Sequence, residues 1–197
     1  MLMHTAKKPF DGPEWLFELK LDGARCVAFC GGGTTVLKNK RDKDISAVFP
    51  EVEISAQVNG NAVLDGELIV ITNGVPDFYR LVTRALKADP FSISIASKGT
   101  PACFVAFDIL YLNGKNLCGV PLLERKAILA DTVAQGGALS VSRHIEQRGI
   151  DYFNAACSRN LEGLIAKRRE SIYRPGKRTR EWLKIKNPRF PETRNEV

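Results

Sequence analysis

Two apolar runs near the middle of the chain, AVLDGELIVI at 62–71 and ACFVAFDILYL at 102–112, set the strongest limit on the fold. Each is too short to cross a membrane as a helix and reads as a strongly apolar strand. The stretch WLFELKLD at 15–22 alternates. Phe17, Leu19 and Leu21 point one way, and Glu18, Lys20 and Asp22 the other, which gives a half-buried strand with one charged face. Residues 24–30 and 34–38 give two further strands joined at Gly31-Gly32-Gly33. No G-K-[ST] follows those glycines, so they read as a hairpin turn and not a phosphate loop. Helices are expected over 50–58, 77–88, 121–135 and 150–159, the last with Asp151 as its N-cap, and short strands over 163–168 and 181–186. Strands dominate and helices interleave irregularly. The expectation is an α+β fold with two mainly antiparallel β-sheets flanked by helices, not a doubly wound parallel sheet.

A length of 197 residues with 44% hydrophobic content supports one domain, or at most two small ones. No apolar run approaches the length of a membrane span, and MLMHTAKKPFDGPEW lacks the apolar stretch of a secretory signal. The five cysteines (Cys26, Cys30, Cys103, Cys118 and Cys157) are odd in number and scattered, with no C-x-x-C pair. They read as reduced thiols of a cytoplasmic protein. Only His4 and His144 are histidines, which disfavours histidine-rich metal centres and Ser/His triads. His144 falls in a polar, loop-like stretch and is given no role.

Charge is concentrated late in the chain. Residues 1–166 carry 18 basic and 18 acidic residues, whereas 167–189 carry ten basic residues against Glu170 and Glu181. A net +8 in 23 residues lowers the free energy of phosphate approach and points to a polyanion-binding surface.

The charged face of the first strand continues as ELKLDGAR, in which Lys20 and Asp22 are followed by a turn at Gly23 and then Arg25. Further along come LDGELIV at 64–70, FVAFDILYLNG at 104–114, EGLIAKR at 162–168 and EWLKIK at 181–186. These runs resemble, in order, the signature motifs of covalent nucleotidyltransferases, beginning with K-x-D-G-x-R. That superfamily comprises ATP-dependent DNA ligases, RNA ligases and mRNA capping enzymes. FDILYLNG and EGLIAKR look most like DNA ligases, in particular the ligase domain of bacterial end-joining enzymes.

The resemblance implies the nucleotidyltransferase (ATP-grasp-like) adenylation fold, with an ATP cleft between the two sheets. It makes Lys20 the nucleophile that becomes lysyl-AMP. Glu67 and Glu162 become carboxylate ligands for Mg²⁺ or Mn²⁺, chemistry that suits hard oxygen donors. Phe107 would stack on adenine, Glu18 would sit beside the purine, and Arg25 and Lys167 would reach ribose and phosphates. Lys184 and Lys186, two apart on a strand, would aim at one place beside Lys20. Asn39-Lys40-Arg41 stands where many DNA ligases have S-R-N, so the basic function falls to Lys40 or Arg41. Arg168, Arg169, Arg174, Lys177, Arg178 and Arg180 are the candidates for DNA backbone contacts.

The expected partner is nicked or broken duplex DNA, with no membrane, for a monomer that is nucleoid-associated if the source is bacterial. Residues 1–189 are expected to form the adenylation domain. Residues 190–197 are expected to be a tail or a linker to an OB-fold domain, which family ligases carry after the last motif; that domain or other repair proteins would be further partners. Two other readings stay open on the residues. One is an RNA ligase or GTP-using capping-type enzyme, and the other is a non-catalytic nucleic-acid-binding module with the same fold. Intact Lys20, Glu67, Glu162, Lys184 and Lys186 speak against the second.

Overall fold

A computed structural model describes residues 1–191. The strands are β1 (Leu2–Thr5), β2 (Gly12–Leu19), β3 (Ala24–Gly31), β4 (Thr34–Asn39), β5 (Ala62–Thr72), β6 (Val75–Pro76), β7 (Ala102–Leu112), β8 (Lys115–Asn116), β9 (Leu139–Val141), β10 (His144–Gln147), β11 (Gly163–Arg168) and β12 (Arg178–Lys186). The helices are α1 (Phe78–Ala85), α2 (Pro90–Gly99), α3 (Leu122–Thr132) and α4 (Gly149–Ser158). The chain divides into two compact units, one of Met1–Leu21 with the segment from Arg143 onward, the other of Asp22–Ser142. Each is an α+β unit built on one sheet, as the strand-rich pattern implies.

The first unit holds a sheet in the order β1-β12-β11-β2-β10. Every pairing is antiparallel except β1 with β12. The alternation in β2 sorts its side chains. Trp15 and Phe17 join Leu164, Ala166 and Ile185 in a core closed by Phe153 and Ala156 of α4. Leu16 and Glu18 take the opposite face.

The second unit holds the order β4-β3-β5-β7-β8, with β6 added on β5 and β9 parallel on β7. Its core runs from Leu64 and Leu68 through Phe104 and Ile109 to Leu129 of α3. Helix α3 is tied to β7 by a wholly buried ion pair, Arg125 Nε–Asp108 Oδ1 at 2.7 Å, with a second bond from Nη2 to Oδ2 at 2.8 Å. Arg125 also donates to the Val120 carbonyl. Helices α1 and α2 start on side-chain caps, Asp77 accepting from Arg80 N–H at 3.1 Å and Asp89 from Ser92 N–H at 2.8 Å. Each such cap contributes about 1 kcal/mol.

Three local expectations are corrected. The helix expected over 50–58 is absent; only short 3₁₀ turns form, at Ser46–Val48 and Ser55–Gln57. Val52 and Ile54 enter the core two residues apart, a strand-like spacing. Between them Glu53 accepts from the N–H and hydroxyl of both Thr35 and Ser55 at 2.6–3.0 Å, bonds that displace helical ones. Asp151 is not the cap of α4, which begins two residues earlier. It lies in the first turn and pairs with Arg148 at 2.6 Å. His144 lies in strand β10, not in a loop.

Candidate active site

In the first unit, β2, β11 and β12 bring six of the sequence-predicted residues together. Lys20 follows directly on β2, where its N–H donates to the Gly163 carbonyl at 2.9 Å. Its Nζ lies 2.6 Å from Glu162 Oε1, with the two side chains 16% and 10% exposed. Glu18 is paired with Ile165, and Ile165 with Lys184, so Glu18 and Lys184 share a row across the sheet. Lys186 is paired with Gly163 one step along. Lys167 sits in the row on the other side of Glu18, and its Nζ reaches Glu18 Oε1 at 2.9 Å with both side chains buried. Gly163 is required here. Its φ is +134°, and a Cβ would lie 2.0 Å from the Ile185 carbonyl oxygen. A side chain would push β11 off β12 and misplace Glu162 beside it. Burial first, and then the charge of Glu18, push the Tyr152 phenol up.

The second unit brings together another set. Arg25 of β3 is paired with Glu67 of β5. Its guanidinium grips Asp65 in bidentate fashion, Nε–Oδ1 at 3.0 Å and Nη2–Oδ2 at 2.6 Å, and lies 5.6 Å from the Phe107 ring centroid. Asp65 is fully buried. Asp65 stands within LDGELIV and is not among the residues predicted from the motifs. A carboxylate inside an apolar strand must find a partner, and that was the available signal. Gly23 lets the preceding turn press onto β5, since a Cβ there would lie 2.3 Å from the Leu68 carbonyl oxygen. Lys40 and Arg41 are exposed in a turn held by Asn39 Oδ1, which accepts from Arg41 N–H at 2.9 Å.

The charge divides with the units. Residues 22–142 carry twelve basic and twelve acidic residues, so the whole excess of +7 belongs to the first unit. The six candidate DNA contacts there are not equivalent. Arg168 lies 4.8 Å over the Trp15 ring and 3.9 Å from Glu14, on the face opposite Lys167. Arg169 pairs with Glu146 and Glu170, both at 3.6 Å, and Arg174 with Glu181 at 3.6 Å. Arg178 donates to the Met3 carbonyl. Lys177 and Arg180 are exposed.

Among the described residues no group of three or more His, Cys, Asp or Glu could hold a metal ion by itself. Glu67, in the second unit, and Glu162, in the first, are each a carboxylate, and Mg²⁺ is ordinarily held by one or two carboxylates together with substrate phosphates.

One sheet face thus carries Lys20 beside Glu162, with Lys184 and Lys186 on β12 two residues apart. The family model described as ATP dependent DNA ligase domain matches residues 1–186, and the chain belongs to that family. It is 31% identical over 194 residues to the SPbeta prophage-derived DNA ligase-like protein LigB of Bacillus subtilis, covering 98% of this chain and 68% of that protein. It is 35% identical over 179 residues to the multifunctional non-homologous end joining protein LigD of Mycobacterium bovis, covering 88% of this chain and 22% of that protein. The structure of mycobacterial DNA ligase D complexed with ATP and MES superposes with a TM-score of 0.76 at 30% identity, covering 94% of this chain and 60% of that one. The match to end-joining ligases agrees with the resemblance read from FDILYLNG and EGLIAKR.

Proposed function

We propose that this chain is the adenylation module of an ATP-dependent DNA ligase that joins nicked or broken duplex DNA. The observation that carries the reading is the position of Lys20, 2.6 Å from Glu162 and on the sheet face that also carries Lys184 and Lys186. In the first step Lys20 Nζ attacks the α-phosphorus of ATP. A nitrogen–phosphorus bond forms, the bond to the β-phosphate oxygen breaks, and pyrophosphate leaves with the electron pair. The amine proton passes to Glu162 or to water. Lys184 and Lys186 offset the charge that gathers on the α-phosphate. Arg25, held by Asp65, orients the nucleotide, and Phe107 offers a ring face to the base. Lys40 or Arg41 adds a cation for the phosphates.

AMP then passes from Lys20 to a DNA 5′-phosphate, and attack by a 3′-hydroxyl joins the strands and releases AMP. Glu67 and Glu162 would hold Mg²⁺ or Mn²⁺, which when bound offsets phosphate charge. An OB-fold domain or other repair proteins would be further partners in ligation, and the reading takes the chain as a monomer. Five free thiols fit a cytoplasmic setting, which would be nucleoid-associated if the source is bacterial.

Labelling with α-labelled ATP and GTP tests the reading. ATP alone is expected to give a protein-bound label that is stable to alkali and released by acid, as a phosphoramidate is, and that chases onto nicked DNA. Label from GTP alone would place the chain with capping-type enzymes, and no label from either would overturn the reading.

A further inference from the structure

The Lys167–Glu18 pair is 3% and 2% exposed. A buried ion pair offsets its desolvation only when other groups complete the solvation of both charges. One such group is an aromatic face. The Lys167 ammonium lies 4.3 Å from the ring centroid of Trp182, its cross-strand partner on β12. Trp182 is itself 1% exposed and doubly fixed. Its Nε1–H donates to Ser171 Oγ at 3.2 Å, and Tyr173 packs edge-on with ring centroids 6.0 Å apart. Ser171 in turn donates to the Arg168 carbonyl at 2.7 Å, so the segment between β11 and β12 folds back on the indole. The order across the sheet is therefore indole, ammonium, carboxylate, with Lys20 two residues from Glu18 on the same strand face.

We propose that Trp182 is a positioning residue for adenylation. Its ring holds the Lys167 ammonium on Glu18, and through that pair it fixes the carboxylate that stands next to the nucleophile on β2. Nothing in the reaction requires Trp182 to touch the nucleotide; it acts through Lys167. The inference rests on the adenylation reading above. Loss of the cation–π contact is expected to change nucleotide affinity about tenfold, which corresponds to about 1.4 kcal/mol.

The test uses the full chain and lysyl-AMP formation under single-turnover conditions. Trp182→Phe keeps a ring face and is expected to stay within about threefold of wild type. Trp182→Leu is expected to raise the apparent KM for ATP about tenfold, with the maximal rate changed less than threefold. In a Lys167→Met background, Trp182→Leu is expected to add no further rise, because the group it acts through is gone. Additive losses in the double variant, or a Trp182→Leu protein whose melting temperature falls while KM holds, overturn the proposal. Should Trp182→Leu not fold, Ser171→Ala decides. It frees the indole N–H, and an unchanged KM overturns the proposal, whereas a raised KM with an intact maximal rate supports it. Failure of the underlying reading is distinguishable, because wild-type protein would then form no lysyl-AMP at all.

Discussion

Lys20 Nζ and Glu162 Oε1 form a 2.6 Å ion pair between the end of β2 and the residue that leads into β11. An amine attacks phosphorus only after losing a proton, and the nearest acceptor is this carboxylate. Glu162→Gln keeps the shape and the hydrogen-bonding reach but removes the anion. Lysyl-AMP formation in the variant is expected to slow by about 10²-fold, the lower end of what a positioned acid–base group supplies. Rapid-quench labelling measures it, and a rate within threefold of wild type would remove Glu162 from the chemistry.

Arg25 is aimed by Asp65 through two bonds of 2.6 and 3.0 Å. A lysine cannot reproduce that fork. Arg25→Lys is therefore expected to raise the KM for ATP about tenfold while the melting temperature moves little. Asp65→Asn removes the buried charge that bonds Arg25 and should cost both affinity and about 2 kcal/mol of stability, the worth of a charge-assisted hydrogen bond. Paired ATP titrations and thermal melts check both statements.

Glu53 makes the fold acid-sensitive. Burial alone would raise its carboxyl, but the hydrogen bonds from Ser55 and Thr35 outweigh it and bring the group down from 4.5 to about 2. The folded value lies below the unfolded one. The stabilisation is thus complete above pH 4.5 and is lost as pH falls toward 2. The side chain is largely exposed, so solvent screening reduces the gain to about 1 kcal/mol. Glu53→Gln is expected to be less stable than wild type by that amount at pH 7 and equal to it near pH 2. Denaturant titrations at both pH values test it.

DNA affinity should fall with salt. Each phosphate contact contributes about −0.9 to the slope of log affinity against log salt on duplex DNA. Lys177→Ala and Arg180→Ala are each expected to flatten the slope by about one contact. Arg168→Ala should change it less, because that guanidinium lies over Trp15 and near Glu14. Binding isotherms on nicked duplex between low and physiological salt measure this, and slopes unchanged from wild type in all three variants would assign the charge to a solvated face.

The strands were legible where one physical signal dominated. Apolar runs at β5 and β7 and the alternation at β2 identified both sheets and the lysine-bearing face. Helix α2 has no counterpart in the sequence expectations; the available signal is Asp89-Pro90, a cap followed by a first-turn proline. The 50–58 segment is not the expected helix because Glu53 bonds Thr35, eighteen positions away, which no local pattern shows. Strand β10 escaped because HIEQ carries little apolar content and is ordered by pairing with β2. Motif order singled out Glu18, Lys20, Glu162, Lys167, Lys184 and Lys186, which β2, β11 and β12 bring onto one sheet. Asp65 and Trp182, the partners of Arg25 and Lys167, were not singled out, because a partner is defined by proximity across strands.

The most direct test of the central claim is peptide mapping by mass spectrometry of the chain after incubation with ATP and Mg²⁺. One AMP is expected on the peptide containing Lys20, absent from Lys20→Ala and removed by pyrophosphate. AMP on another lysine, or an adduct that persists in Lys20→Ala, would contradict the account.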